Sequence, residues 1–114
     1  MKSTARSGYH ISSLCQQVLG ENMLNVKVRN MLSRRGSEVP NQFVIRTDEG
    51  KYFQSYNSVI AFREFGSGQV FLDESKWDYS NTTSKYRNMF LRETTQEIRK
   101  KIEEGVYKLV NLNG

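Results

Sequence analysis

The stretch NQFVIRTDEGKYFQSYNSVIAFREF, residues 41–65, contains three short runs of β-branched and aromatic residues that are separated by turn signals. In the first run, Phe43 and Ile45 alternate with Val44 and Arg46, which is typical of a strand whose two faces have different environments. The tripeptide DEG at 48–50 predicts a tight turn between the first two runs. A fourth run, QVFLD at 69–73, follows a GSG turn. The pattern predicts an antiparallel meander of four short strands.

Two further segments with partial alternation flank this meander. Residues 24–32, LNVKVRNML, predict a first strand. The tract SRRGSEVPN after it predicts a turn, with Gly36 at the tip and Pro40 before the next strand. Residues 106–113, VYKLVNLN, predict a last strand that pairs with the central sheet.

Between the meander and the last strand, the apolar period changes from two residues to the helical spacing. A first helix is predicted after Asp78 or Ser80, followed by a second over 95–104. The second helix begins with a capping-box pattern at Thr94 and Glu97, and Gly105 is suited to end it. The apolar face of the first helix is predicted to consist of Tyr86, Met89 and Phe90.

The N-terminal part of the chain differs from the rest. Residues 1–23 predict a flexible lead and a short helix, which we interpret as an extension. Residues 24–114 predict a single compact α+β domain. It consists of a small antiparallel sheet of about five strands, with two consecutive helices before the last strand. The spacing of the apolar residues predicts that one face of this short helix consists of Ile11, Leu14, Cys15, Val18 and Leu19.

The formal charge of the 114-residue chain is +5, and it is unevenly distributed. Residues 1–47 carry a net charge of +5, residues 48–78 a net charge of −3, and residues 79–114 a net charge of +3. A basic balance favours partners that carry phosphates or carboxylates, although it also serves solubility alone.

The compartment is predicted from three observations. Cys15 is the only cysteine, so no intrachain disulfide can form. No apolar run approaches the ~20 residues that a membrane-spanning helix needs. No continuous apolar segment follows Lys2 and Arg6, so we predict no signal peptide. We expect a cytoplasmic protein without membrane contact.

The sequence offers little for catalysis or for cofactors. His10 is the only histidine and lies in the polar lead, where a general acid or base would not be held in place. The carboxylates of Asp73, Glu74 and Asp78 could bind Mg²⁺, but an acidic turn before a helix explains them more simply. No glycine pattern for binding a nucleotide phosphate is present. We therefore predict no enzyme activity, no cofactor and no metal.

Seven basic side chains and two tyrosines form the predicted binding surface. The turn pair Arg34–Arg35 is the sharpest candidate, because an exposed turn does not need arginines in order to fold. The run at 99–101 has a second interpretation as a solvated helix face, in which Lys101 pairs with Glu97. The predicted residues are Arg34, Arg35, Lys85, Arg87, Arg99, Lys100 and Lys101, with Tyr79 and Tyr86 as stacking partners.

The placement of these residues is also predicted. Lys85 and Arg87 are expected on the outer face of the first late helix, whereas Tyr86 also fits the core. Arg29, Arg46 and Lys51 form a further basic group on or beside strands.

Residues 34–113 resemble a family of small domains of unknown function from phages and mobile elements of gut-associated bacteria. The likeness is carried by RRGSEVPNQF, YFQSYNSVIAF, WDYSNTTSKYRNMFL and EIRKKIEEGVYKLVNLN. It implies a compact accessory domain of phage type, located in the host cytoplasm. It implies no activity and no site residues.

These observations leave three hypotheses for function. The first is a non-enzymatic accessory protein that binds DNA, RNA or another acidic partner through its basic surface. The second is an interaction module that inhibits a host defence or transcription protein. The third is a binder of small nucleotides. A homodimer would be one way to cover the edges of the sheet.

Overall fold

The structure is a computed structural model that describes residues 25–114. The predicted lead and short helix, residues 1–23, lie outside the described residues, as do His10 and Cys15. The elements are β1 (Lys27–Leu32), β2 (Glu38–Arg46), β3 (Gly50–Ser55), β4 (Ser58–Glu64), β5 (Val70–Asp73), α1 (Asn81–Leu91), α2 (Thr95–Glu103) and β6 (Lys108–Val110).

The strands form one six-stranded sheet in the order of the sequence, from β1 to β6. Neighbours from β1 to β5 are antiparallel, as predicted for the meander. The last strand is parallel to β5, so the prediction of an entirely antiparallel sheet of about five strands is wrong in that detail. The two helices provide the crossover that a parallel pair requires, because they return the chain to the end of the sheet from which it left. The predicted α+β class is confirmed.

The two faces of the sheet bury different sets of side chains. Phe53 and Leu72 lie on the face covered by the helices, where they share a core with Ile98 of α2. Tyr52 and Phe62 lie on the opposite face, with ring centroids 4.3 Å apart. This division follows from the period of two along each strand, which sends successive side chains to opposite faces.

Strand β2 begins earlier than predicted, at Glu38, and includes Pro40. The β1–β2 pairing shifts register between Asn30 and Leu32, and the Asn30 side-chain amide donates to the Val39 carbonyl over 2.9 Å. A proline is tolerated at such an irregularity, because no regular ladder bond requires its missing N–H. The predicted turn therefore shortens to the residues before Glu38.

At Gly50, the first residue of β3, the strands β3 and β4 approach each other unusually closely. A Cβ placed on Gly50 would lie 2.2 Å from the carbonyl oxygen of Arg63 and 2.6 Å from the ring of Phe62. Only glycine fits at this position, which lies at the end of the sheet that carries the basic residues described below.

Both helices begin where the sequence predicts. The Ser80 hydroxyl accepts from the Thr83 amide at the start of α1. At the start of α2, the Thr94 amide donates to the Glu97 carboxylate over 2.8 Å, and the Glu97 amide donates to the Thr94 hydroxyl over 3.2 Å. Gly105 follows α2 with a φ of 79°, so the capping box and the glycine stop are both confirmed.

The buried face of α1 differs from the predicted one. Tyr86 is buried and Phe90 packs against the core, as expected, but Met89 is 36% exposed. Arg87, which was predicted to lie on the outer face, is instead part of the buried face. The buried residues of the helix are Thr83, Tyr86, Arg87 and Leu91.

Candidate nucleic-acid interface

Arg87 is fully buried, and the prediction that it lies on the outer face of α1 is wrong. Its guanidinium donates to the Trp77 carbonyl, to Asp78 over 3.2 Å and to Thr95 over 2.8 Å. Two further hydrogen bonds, of 3.1 and 2.7 Å, go to the side-chain oxygen of Asn88. These contacts occupy all five donors of an arginine, which explains why the charge can be buried. Arg87 joins α1, the start of α2 and the loop before α1.

Asp78 and Trp77 link a second arginine to this cluster. The Asp78 carboxylate contacts Arg87 at 3.2 Å and Arg99 at 3.0 Å. The guanidinium carbons of Arg87 and Arg99 lie 5.2 and 5.9 Å from the centroid of the Trp77 ring. Arg99 is exposed, as predicted, but its charge is already engaged inside the molecule.

The Asp78 carboxyl predicts an acid sensitivity of the fold. Burial alone would raise its pKa, but hydrogen bonds from Ser84 and Arg87, together with the charges of Arg87 and Arg99, lower the pKa below the ordinary value of 3.8. A lowered pKa in the folded state contributes stability above pH ~4, and that contribution is lost as the pH falls through the folded pKa. We expect Asp78→Asn to destabilise the protein at neutral pH and to have little effect near pH ~2.

Urea unfolding of both proteins at these two pH values measures this difference. Asp48→Asn, a change at an exposed carboxylate in the β2–β3 turn, serves as the matched control. An equal loss of stability at both pH values for Asp78→Asn would contradict the ionic role of this carboxylate.

The basic run on α2 is partly neutralised. Lys101 pairs with Glu93, which also accepts from the Tyr107 hydroxyl, so the predicted pairing of Lys101 with Glu97 is wrong. Glu97 is instead engaged by the capping box. Lys100 is exposed and forms no ion pair within residues 25–114.

The two predicted stacking tyrosines differ in exposure. Tyr86 is only 8% exposed and packs in the core, which removes it as a platform for bases. Tyr79 is 46% exposed, with the Lys76 ammonium 5.0 Å from its ring centroid. Only Tyr79 of this pair is therefore available for stacking.

Four cations lie directly opposite one another on the neighbouring strands β1 to β4, one on each strand. Lys27 in β1 lies opposite Arg46 in β2, and Arg46 lies opposite Lys51 in β3. Lys51 in turn lies opposite Arg63 in β4. All four are two residues from a position facing the helices, so they share that face of the sheet. We call these four residues the basic row.

The basic row is electrostatically unfavourable for folding. Neighbouring strands are separated by about 4.8 Å, and like charges directly opposite each other lower the stability of a sheet. The three ion pairs within residues 25–114 are Arg87–Asp78, Arg99–Asp78 and Lys101–Glu93, and none involves the row. The repulsion therefore stays without an internal counter-charge in this part of the chain.

Three adjoining concavities extend the row into a groove. The first, of about 420 Å³, lies over β1, β2 and β3. The second, of about 280 Å³, shares Arg29, Val44 and Lys51 with the first and reaches the end of α1. The third, of about 500 Å³, shares Met89 and Arg92 with the second. We call the three together the basic groove. Its cations are the basic row and Arg29, Arg34, Lys85 and Arg92.

The groove unites some of the predicted residues and leaves out others. Arg34 of the β1–β2 turn and Lys85 of α1 line the same concavity, so the turn and the first helix do share a surface. Arg35 is exposed in that turn but does not line the groove. The basic residues of α2 and Tyr79 also lie outside its lining.

The strongest part of the groove was missing from the predicted site. Arg46 and Lys51 stood out as basic, and the four-residue connection between them would have placed them opposite each other. Arg63 could not be aligned in the same way, because the β3–β4 pairing shifts register between Phe53 and Gln54. Lys27 required the register of the β1–β2 pairing, which the predicted turn does not fix, because this pairing shifts register between Asn30 and Leu32.

The carboxylates of Asp73 and Asp78 have structural roles. The Asp73 carboxylate accepts from the amides of Ser75, Lys76 and Leu112 over 2.9–3.1 Å. Within residues 25–114, no group of three or more His, Cys, Asp or Glu side chains could hold a metal ion. In the same part of the chain, no helix is long and apolar enough to cross a bilayer.

Within residues 25–114, the fold and this surface define an α+β domain with two helices on one face of its sheet and a cationic groove beside them. The chain belongs to a family of unknown function, DUF8033, whose model matches residues 26–105. No curated protein and no solved structure matches the chain significantly.

Proposed function

We propose that this protein binds nucleic acid through the basic groove, as a non-enzymatic accessory protein. The observation that carries the proposal is the basic row, in which four cations on four neighbouring strands face one side of the sheet. The repulsion within such a row destabilises the free protein, and this repulsion is relieved when an anionic chain lies along the row. A polyphosphate backbone provides regularly spaced negative charges for this purpose.

The carboxylates at the third concavity do not oppose this proposal. Glu93 and Glu97 line it, but Glu93 is engaged by Lys101 and Tyr107, and Glu97 closes the capping box. The charge of Glu93 is thus offset by Lys101, and Glu97 is left as one charged carboxylate beside three cations. Arg34, Lys85 and Arg92 supply the remaining charge of that concavity.

The likeness of residues 34–113 to small phage domains adds a setting to the proposal. We propose an accessory role in a phage-infected cell, with DNA or RNA as the partner. A host protein with an acidic surface is the competing partner, and the measurement below separates the two.

Fluorescence anisotropy with short labelled DNA and RNA at about 50 and about 200 mM salt tests the proposal. If the four row cations each contact a phosphate, the logarithm of the affinity falls with the logarithm of salt by a slope of roughly 3. Absence of binding at the lower salt concentration would refute the proposal. Capture of a host protein that survives nuclease treatment, together with no binding to nucleic acid, would favour the competing partner.

Arg92 predicts opposite effects on stability and on binding. It ends α1 in the left-handed region, with φ 60° and ψ 42°, which glycine adopts without a steric penalty. We expect Arg92→Gly to raise the free energy of unfolding by about 1 kcal/mol and to weaken nucleic-acid binding, because it relieves strain and removes a groove cation.

Urea unfolding and anisotropy on the same preparation measure both effects. Arg35→Gly is the control, because Arg35 is exposed near the groove but does not line it. Unchanged affinity in Arg92→Gly would exclude this arginine from the interface.

A further inference from the structure

Phe65 lies at the end of the basic row and is 38% exposed. It follows the last residue of β4, and its contact with the Arg46 side chain places the ring on the same face of the sheet as the row. Its amide donates to the Glu49 carbonyl over 2.9 Å, which holds the backbone at this point against the β2–β3 turn. The ring is therefore presented beside the row by a fixed backbone.

Arg46 connects this ring to the row. Its guanidinium carbon lies 5.2 Å from the centroid of the Phe65 ring, within the range of a cation–π contact. The planar guanidinium of Arg46 has a second face, on which a further aromatic ring can stack. A phosphate contact and a stacking surface are thus combined in one pair of side chains.

The lining of the groove is also mixed. Val44, Met89 and Phe90 contribute apolar surface between the cations. The two larger concavities, of about 420 and 500 Å³, have the size of small-ligand sites, which suits single nucleotides of a strand. A duplex hides the faces of its bases and offers mainly phosphates to such a surface, so it would leave the apolar surface and the ring unused.

Resting on the proposed function, we infer that the ligand of the basic groove is a single-stranded nucleic acid, with an unpaired base stacked on the Phe65–Arg46 pair. The phosphates of the strand follow the row. Stacking on an aromatic ring tolerates any base, so the groove binds without strong sequence preference.

Affinity for a labelled single strand and for the duplex of the same sequence tests the inference. We expect Phe65→Leu to weaken single-strand binding about fivefold or more and to leave duplex binding and the salt slope unchanged. Tyr79→Leu is the matched control, because Tyr79 is an exposed aromatic ring with a cation 5.0 Å from its centroid, but that cation, Lys76, does not line the basic groove as Arg46 does. It should alter neither affinity.

Phe65→Trp provides a second readout if Phe65→Leu folds poorly. A larger ring should strengthen single-strand binding, and its fluorescence should be quenched by the strand beyond any change seen for Trp77 in the unaltered protein. Single-strand affinity that no change at Phe65 alters would overturn the inference while leaving the proposed function intact. Equal affinity for a polyglutamate chain of matched charge would also overturn it, because the groove would then be a general site for acidic chains. Failure of the unaltered protein to bind either form would refute the proposed function itself.

Discussion

Arg87→Met is expected to lower the free energy of unfolding by about 3 kcal/mol or more. The substitution removes five hydrogen bonds at once and leaves the Trp77 carbonyl without its charged donor. It also removes the cation from the face of the Trp77 ring. Small domains have total stabilities of about 5–15 kcal/mol, so this change removes a large fraction of the free energy of unfolding. Urea unfolding monitored by Trp77 fluorescence measures it.

Two variants separate the causes of this loss. Lys85→Met lies two residues earlier on the exposed side of α1 and should change stability by less than about 0.5 kcal/mol. Arg87→Lys keeps the charge but lacks the planar set of five donors, so it should still lose a large part of the stability. A loss below about 1 kcal/mol in Arg87→Met would contradict the clamping role of this residue.

Replacing both Arg46 and Lys51 by glutamine is expected to weaken nucleic-acid binding strongly while making the protein more stable. Each phosphate contact of a single strand contributes about 0.7 to the salt slope, so the slope should fall by about 1.4. Removing two opposed cations from neighbouring strands should raise the free energy of unfolding by about 0.5 kcal/mol. Anisotropy at several salt concentrations and urea unfolding measure the two effects.

The control for this pair removes the same charge elsewhere. Lys100 and Lys108 are exposed and do not line the basic groove. Their double replacement by glutamine should leave the salt slope nearly unchanged. An equal loss of affinity in both double variants would mean that net charge, rather than the groove, drives the binding.

The elements of the fold were predictable wherever local chemistry decides the backbone. The capping box at Thr94 and Glu97 and the glycine stop at Gly105 are satisfied by contacts within a few residues. The hairpins follow from alternation and turn residues in the same way. The direction of β6 was not predictable from such signals, because it depends on how two helices return the chain to the sheet.

The candidate site was predictable only in part. Arg34 and Lys85 were selected as exposed cations, and both line the groove. Arg87 was selected for the same reason but is buried, since residues ten positions before it and eight after it supply its partners. A pattern of charges along the sequence does not distinguish a cation that faces solvent from one that is enclosed by other elements.

By itself, the sequence determined the positions of the strands and helices, the caps and the basic balance of the chain, because these depend on residues that are near one another. Only the tertiary structure decided which cations belong together. Lys27 and Arg63 are distant along the chain from the hairpin pair Arg46 and Lys51, and the register of three antiparallel pairings aligns all four. The physical reason is that a strand pairing converts distance along the sequence into a separation of about 4.8 Å across the sheet.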